Sequence, residues 1–585
     1  MHVIATAGHV DHGKSTLVRS LTGTDPDRLA EEHRRGLSIE LGYAWTHLAP
    51  VGDIAFVDVP GHERFVSTML SGVGPVPAVL FVVAADDPWM PQAAEHLAAI
   101  DGLGVSRGLL AVTRADLADP VPAMTQALAE IRRTSLGDVP AVAVSARTGL
   151  GLDELRHQIG DLASGLAAPD PHADVRLWVD RSFHVRGAGT VVTGTLPAGT
   201  IAIGDTLTLD DVSVRVRGIQ CLGRSVTSAT GVSRVALNLV GVGGKLAAGP
   251  RRGSFLVSTG QWRLAPVADA RLVRPGRLPE RPLLHVGATS VGVRVRPFDE
   301  STIRLVLERP LPLRVGDRAL VRDPGSREVW GLNVLDPDPP PLRRRGAAAL
   351  RAKELAFVDG SLFDEVRRRG IVRRSLLRRL GIDTVDVPVG VEAFGDWLLS
   401  EDRVEELQAQ MGQIVRDRST QLEPGVPVAA VARALNLPTP DLVGALARPP
   451  LEVRQGKVLG GRAGGLPQRL LEALDALRED AGDNPFAAPG ADRLRELGLD
   501  QRSLGALARA GHLLRLDDTV VLLGGSDVHA AGVLRQLRQP FTTSEARVAM
   551  ATSRRVALAL LAHLDRRGMT KRLPDDRRRV AEPPR

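Results

Sequence analysis

The 585-residue chain holds one cysteine and one tyrosine, and aromatic residues make up only 3% of it. A lone Cys221 excludes an intramolecular disulfide and suits a reducing compartment. So few rings argue against base-stacking platforms as the main way of gripping nucleic acid. No stretch approaches the ~20 apolar residues of a membrane span. No apolar leader precedes the first strand, so a cytoplasmic protein without membrane contact is expected. Lysine is also scarce, since nearly all of the 75 basic residues are arginine. The net charge is only +7, but it is unevenly placed. Residues 551–585 carry ten Lys and Arg against four acids, the footprint of a nucleic-acid contact or of a solvated Arg-rich face.

What is present divides the chain. Length suggests about four domains of ~150 residues. Up to residue 168, short apolar runs (HVIATA, DIAFVDV, AVLFVVAAD, GLLAVT, AVAVSA) alternate with amphipathic stretches, the pattern of a doubly wound α/β domain with a mostly parallel sheet. The period then changes to two, which predicts two β-barrels over 174–258 and 262–336. PDPPPLRRR (337–345) reads as a stiff boundary. Beyond it, helix-turn-helix patterns followed by hairpins with Asp-Asp tips over 485–522 and 541–580, a weaker copy over 428–461 and a fourth in 346–400 predict winged-helix modules at 346–402, 403–465, 466–525 and 526–585. An all-helical array without wings is the other reading.

Residues 8–15, GHVDHGKS, fit G-x-x-x-x-G-K-[ST] between a predicted strand and a predicted helix. Such a loop turns its backbone N–H groups toward a polyphosphate, and its lysine neutralises the outer phosphates. Asp11, His12, Gly13, Lys14, Ser15 and Thr16 are the candidate phosphate set. Ser15, Ser38 and Asp58 are the candidate Mg²⁺ oxygens. Gly61 can let its N–H approach a γ-phosphate, and His62 can orient an attacking water. VTRAD (112–116) brings Thr113, Arg114 and Asp116. A carboxylate there accepts from guanine N1–H and N2–H₂, donors that adenine lacks. VSARTG (144–149) brings Ser145, Ala146 and Arg147 to the base, with backbone donors for guanine O6. Taken alone, Asp116 would read as a helix N-cap. In this series it points to GTP and GDP with Mg²⁺, and to a switch in which 34–42 and 60–75 are ordered by the γ-phosphate.

GHVDHGKST, RGLSI, DVPGHE, TRAD and SA together resemble the EF-Tu-like translational GTPases, and FHVRGAGTVVTGTL (183–196) resembles the signature of their second domain. With the long C-terminal extension, the chain looks like a member of the bacterial selenocysteine-specific elongation factors, the SelB family. That resemblance implies a monomeric, ribosome-stimulated GTPase. It also implies selenocysteinyl-tRNA, an mRNA hairpin of the SECIS type and the ribosome as partners. It puts His62 at the catalytic position, with Val10 and Leu37 as an apolar gate. It puts Asp180, Arg181 and Arg234 in a selenocysteine pocket, and Arg554, Arg555, Arg566, Arg567, Lys571 and Arg572 at the RNA. Ser38 stands where the family has threonine and Arg114 where it has lysine. Pro88-Trp89 interrupts the family's Asp-Asp-Gly run. Two other readings stay open: an EF-Tu-like carrier of another tRNA, and a winged-helix DNA-binding regulator with a nucleotide-sensing head.

Overall fold

The computed structural model describes residues 1–585 other than 28–31, 33, 35–37, 63–64, 75, 88, 187–188, 244–248, 327, 420–424, 461–465 and 582–585. Contacts divide it into two compact units, Met1–Ser400 and Glu401–Arg585.

The first unit opens with a six-stranded sheet of order β2-β3-β1-β4-β5-β6. Its strands are β1 (His2–Ala7), β2 (Gly42–Leu48), β3 (Gly52–Asp58), β4 (Ala78–Ala84), β5 (Gly108–Thr113) and β6 (Ala141–Ala143). All but β2 run parallel, and β2 pairs antiparallel with β3. The continuous apolar runs follow from burial on both faces: every residue of β4 and β5 is buried. The flanking helices are α1 (Lys14–Thr22), α2 (Val66–Val73), α3 (Pro91–Gly102), α4 (Val121–Ile131) and α5 (Leu152–Ser164). Because the strands are parallel, the loops after β1, β3, β5 and β6 meet at one sheet edge. Trp89 stacks on Phe81 at 5.8 Å and packs against the main core, which gives that departure a packing role. Pro88 lies outside the described residues.

Two all-β blocks follow. Arg176–Trp178 through Phe255–Ser258 form an eight-stranded antiparallel sheet plus a two-stranded ribbon, and Leu264–Leu272 through Val329–Asp336 form a closed six-stranded barrel. The unit does not end at the proline run. Residues 347–400 continue it with helices Ala347–Leu355, Leu362–Arg369 and Arg374–Arg379 and a three-stranded sheet.

That continuation is fastened by buried charge. Arg304 makes a forked pair with Asp269 (2.6 and 3.0 Å). Arg351 spans Asp269 (2.8 Å) and Asp336 (2.5 Å). Arg368 and Arg369 each bridge Asp336 and Glu365. All three carboxylates are fully buried. Between 380 and 390 this segment forms no helix, so its hairpin, Val391–Phe394 with Trp397–Ser400, follows a loop.

The second unit repeats a helix-turn-helix and hairpin. Helices Val428–Ala434 and Asp441–Leu446 lead into strands Glu452–Arg454 and Lys457–Leu459. Ala491–Glu496 and Gln501–Arg509 lead into Leu513–Arg515 and Val521–Leu523. Thr543–Ala549 and Arg554–Arg566 lead into Thr570–Arg572 and Arg578–Val580. The hairpins are the wings that an all-helical array would lack. In the last repeat, Thr542 and Glu545 form a capping box, and Val556, Ala557, Leu560, Leu561 and Leu564 bury one face of Arg554–Arg566. Among the described residues no helix is long and apolar enough to cross a membrane.

Candidate nucleotide site and cationic pocket

The loop after β1 is held from several sides. Gly8 has φ +132°, and a Cβ there would lie 2.1 Å from the Val82 carbonyl oxygen. Its N–H donates to His96 Nδ1 at 3.2 Å. Burial pulls the His96 pKa down to about 3, so this acceptor is a neutral imidazole. Gly13 caps α1 with φ 80°, which aims the helix N-terminus at the loop. Lys14 donates to the carbonyls of Gly8 (3.1 Å) and His9 (2.6 Å). A side chain at Gly61 would lie 2.5 Å from both Lys14 Nζ and Val10 N, so only glycine lets β3's loop lie on the phosphate loop.

The three candidate metal oxygens converge. Ser15 Oγ donates to Asp58 Oδ2 at 2.6 Å and lies 2.9 Å from Ser38 Oγ. Thr6 donates to Asp58 Oδ1 at 2.6 Å. Ser38 also donates to Asp27 Oδ1 at 2.8 Å, so its hydroxyl reaches the cluster without the methyl of threonine. Burial pushes both Asp58 and Asp27 above the ordinary carboxylate range, with Ser15 and Ser38 respectively pulling them back. Two hydroxyls and a desolvated carboxylate are the hard oxygen donors that suit Mg²⁺.

At the other end, Arg147 Nε donates to Asp116 Oδ2 at 3.0 Å. A hydrogen bond from Ser145 is the main cause that holds Asp116 below its ordinary pKa, so its carboxylate is ionised. Arg114 sits at φ 58° and reaches Asp86 (3.1 Å) and the Asp11 carbonyl. Its planar group thereby ties the base loop to the phosphate loop. Thr113 donates to the His12 carbonyl at 2.8 Å.

A cavity of about 720 Å³ joins these ends, lined by Asp11, Gly13, Lys14, Ser15, Thr16, Ser38, Gly61, Thr113, Arg114, Asp116, Ser145, Ala146 and Arg147. Val10 lines it too, along with Arg19, Asp25, Asp27, Glu32 and Leu117, which sequence reasoning missed. Asp25 and Asp27 flank the proline in TDPD, but no spacing rule marked them. His12 is buried behind the loop and His62 lies just past Gly61, neither on the cavity wall. Asp58 sits beneath Ser15. Leu37 lies outside the described residues.

Burial draws the Lys14 ammonium down to about 8, against opposing pulls from Asp58, Asp11 and Asp27. Phosphate oxygens would keep it charged, so nucleotide binding takes up a proton once the pH passes that value. GDP affinity is expected to fall as pH rises through about 8, by up to about ten-fold per unit. Stability moves the other way. The unfolded lysine keeps its ordinary pKa near 10.5, so from about 8 to 10.5 the unfolded chain binds more protons and the fold gains stability with pH. Calorimetry in two buffers of different ionisation enthalpy reads the proton directly, and a flat affinity from about pH 7 to 9 would refute the shift.

A second cavity, of about 450 Å³, is lined by Glu40, Leu41, Asp180, Arg181, Ser182, Phe183, Pro250, Arg251 and Arg252. Strand Arg181–Val185 pairs with Gly189–Leu196, and that strand pairs with Ser233–Gly241. This register brings Asp180, Arg181 and Arg234 together. Arg234 and Asp180 form a two-pronged ion pair, and Thr193 donates to Asp180 at 2.7 Å. The Arg234 guanidinium also lies 3.8 Å over the ring of Tyr43, the sole tyrosine. Burial would lower its pKa, but Asp180 outweighs burial and the net shift is upward. Arg234 therefore backs the cavity wall instead of lining it. Arg181 lines it, 3.1 Å from Glu40 and donating to the Leu41 carbonyl. Arg252 was not expected from the sequence.

On the last repeat, Arg554, Arg555, Arg566 and Lys571 are exposed. Arg567 is 3.5 Å from Asp527, and Arg572 is 2.5 Å from Asp576 at the wing tip. Arg579, which sequence reasoning passed over, sits directly across the wing from Lys571. Like charges facing each other on an exposed ladder are unfavourable by themselves and suit a bound anion.

A phosphate loop, an ionised carboxylate and a serine hydroxyl lining one cavity at one sheet edge, joined to antiparallel β domains, are the arrangement of an EF-Tu-like GTPase. The family described as "Elongation factor Tu GTP binding domain" matches residues 1–164, and "Elongation factor SelB, winged helix" matches 533–579. The selenocysteine-specific elongation factor of Desulfomicrobium baculatum is 36% identical over 356 residues, covering 57% of this chain and 56% of that protein. That of Escherichia coli is 37% identical over 361 residues, covering 59% and 56%. A crystal structure of a bacterial selenocysteine-specific elongation factor, 24% identical, aligns over 100% of both chains with a TM-score of 0.74, which speaks to the fold. The chain belongs to the EF-Tu-like translational GTPases and is similar, over somewhat more than half of its length, to the selenocysteine-specific elongation factors (SelB) among them. The matched stretch spans about half the length of these curated relatives, 56% in each case.

Proposed function

We propose that this chain binds GTP and selenocysteinyl-tRNA and delivers that tRNA to the ribosome at recoded UGA codons, held near them by an mRNA hairpin on its C-terminal modules. The observation that carries the reading is the cation-lined cavity beside Asp180. A selenol is more acidic than a thiol, whose pKa is about 8.5, so an aminoacyl selenium is largely anionic near neutral pH. Serine in its place is neutral and gains no charge attraction from these cations. Arg181 faces the anion, while Asp180 and Tyr43 fix Arg234 behind it.

In the first cavity, Lys14 and the loop N–H groups would hold the phosphates, and Ser15 and Ser38 with Asp58 would hold Mg²⁺. When bound, that ion supplies charge neutralisation at the phosphates. Asp116 selects guanine. His62 stands one residue beyond Gly61 and must turn inward to orient water, which fits hydrolysis stimulated by the ribosome. Arg554, Arg555, Arg566 and Lys571 offer phosphate contacts on the last repeat, and Arg567 and Arg572 lie beside them. A hairpin held there raises the local concentration of the complex at its codon without strengthening any codon contact.

The test charges one tRNA with selenocysteine and, separately, with serine, and times spontaneous deacylation with the GTP-bound protein. Selenocysteinyl ester is expected to be protected about ten- to a hundred-fold more than seryl ester, and Arg181→Ala to erase most of that difference. Equal protection of both esters would leave a less selective tRNA carrier. Protection of neither would favour a DNA-binding regulator, checked by duplex binding of the full chain.

A further inference from the structure

The 450 Å³ cavity is lined by Arg181, Arg251 and Arg252, with Arg234 behind its wall, and Arg234, Arg181 and Arg252 are each held by a different part of the molecule. Arg234 is fixed by Asp180, within the second domain. Arg181 is held by Glu40 and the Leu41 carbonyl, at the end of the segment 34–42. Arg252 is held by α2. Its Nη1 donates to Thr68 Oγ1 at 3.1 Å and its Nη2 to Ser71 Oγ at 2.6 Å.

Thr68 and Ser71 are three residues apart and so share one face of the helix. Ser71 spends its own hydrogen on the Thr68 carbonyl, at 2.6 Å, which leaves its oxygen free to accept from Arg252. Helix α2 begins five residues beyond Gly61, inside the segment 60–75 expected to follow the γ-phosphate. Among the described residues no carboxylate lies within ion-pair distance of Arg252; its partners are hydroxyls and a carbonyl. A cation paired only with neutral groups keeps its charge for an anion in the cavity that it lines.

We propose that Arg252 is a further, nucleotide-responsive cation of this pocket, set in place by Thr68 and Ser71 of α2. A shift of α2 with the nucleotide then changes the positive charge that faces the cavity, and the pocket's affinity for an anionic aminoacyl group changes with it. Arg181 and Arg252 thus tie the two switch segments to one cavity, while Arg234 supplies a constant background. Linkage makes the coupling reciprocal: a ligand that prefers one setting of Arg252 favours the nucleotide that produces it. The cargo half of the inference rests on the selenocysteine reading above; the coupling of Arg252 to the nucleotide does not.

Two measurements separate them. The first uses the full chain without tRNA and compares the affinities of GDP and a non-hydrolysable GTP analogue. Arg252 does not line the nucleotide cavity, so a purely structural role would leave their ratio alone. Arg252→Ala and the double variant Thr68→Val/Ser71→Ala are each expected to move it by about three-fold or more. The second times deacylation of selenocysteinyl- and seryl-tRNA with each nucleotide bound. Both variants are expected to cut the GTP-over-GDP preference for selenocysteinyl ester by at least about ten-fold and leave seryl ester as it was. The double variant keeps Arg252 itself and guards against a misfolded Arg252→Ala.

If both ratios stay within about two-fold of the parent, the proposal is overturned, while selectivity for selenocysteine in the parent keeps the pocket reading. If the parent does not tell the two esters apart, the pocket reading and Arg252's place in it fall together. The nucleotide ratio then decides the coupling alone.

Discussion

Asp116→Asn will lose guanine nucleotides and take xanthine nucleotides instead. Asp116 stands at the base end of the 720 Å³ cavity, oriented by Arg147 at 3.0 Å and held ionised by Ser145. An ionised carboxylate accepts twice and donates nothing, which matches guanine's adjacent N1–H and N2–H₂. Asparagine replaces one acceptor by an NH₂ donor, which would face the guanine amine. Xanthine carries a carbonyl at that carbon and accepts from the new donor. A site built for hydrogen bonds rejects a mismatched partner by about 10⁴-fold, so GDP affinity should fall by about that much and XDP affinity should rise. Titration with fluorescent GDP and XDP reads both. A GDP loss under about ten-fold would mean that Asp116 does not contact the base and serves only as a helix cap.

Arg351→Ala is expected to cost about 3–5 kcal/mol locally. Among the described residues, its side chain is the one that touches both Asp269 and Asp336, and all three are buried. Its loss leaves two desolvated carboxylates to share Arg304, Arg368 and Arg369. Burial would raise the Asp336 pKa, but Arg369, Arg368 and Arg351 outweigh it and hold it down to about 2. A carboxylate with a depressed folded pKa stabilises the fold above its unfolded value of about 3.9, and that contribution fades as pH falls toward 2. In Arg351→Ala the folded pKa rises, so this contribution should be smaller and its loss complete at a higher pH. A chain of several domains does not unfold in one step, so hydrogen exchange across Ala347–Leu355 is the readout. A drop in protection below about 1 kcal/mol would show that the remaining arginines re-pair without Arg351.

The same cluster shows where composition misleads. PDPPPLRRR has every local mark of a separator, because proline stiffens the chain and arginine favours water. Yet the compact unit runs on to Ser400, since Asp269 and Asp336 on the barrel meet Arg351, Arg368 and Arg369 beyond the prolines. Each of these charges, read in the sequence, looks like an ordinary surface residue. Their burial exists only once two strands and two helices are brought together.

By itself the sequence determined whatever depends on near neighbours along the chain. The phosphate loop, the fully buried strands β4 and β5, Asp116 at a strand end and the hairpins with Asp-Asp tips all follow from spacing and period, which act within a few residues. Tertiary structure alone decided the partners of groups far apart. It turned GYAWTHL into an antiparallel edge strand, placed Tyr43 under Arg234, and moved Arg234 behind the cavity. It also set Arg252 against Thr68 and Ser71, more than 180 positions away. An arginine's reach and charge are plain from its identity. Which carboxylate, hydroxyl or anion it serves is settled by the packing of strands and helices that no short window of sequence contains.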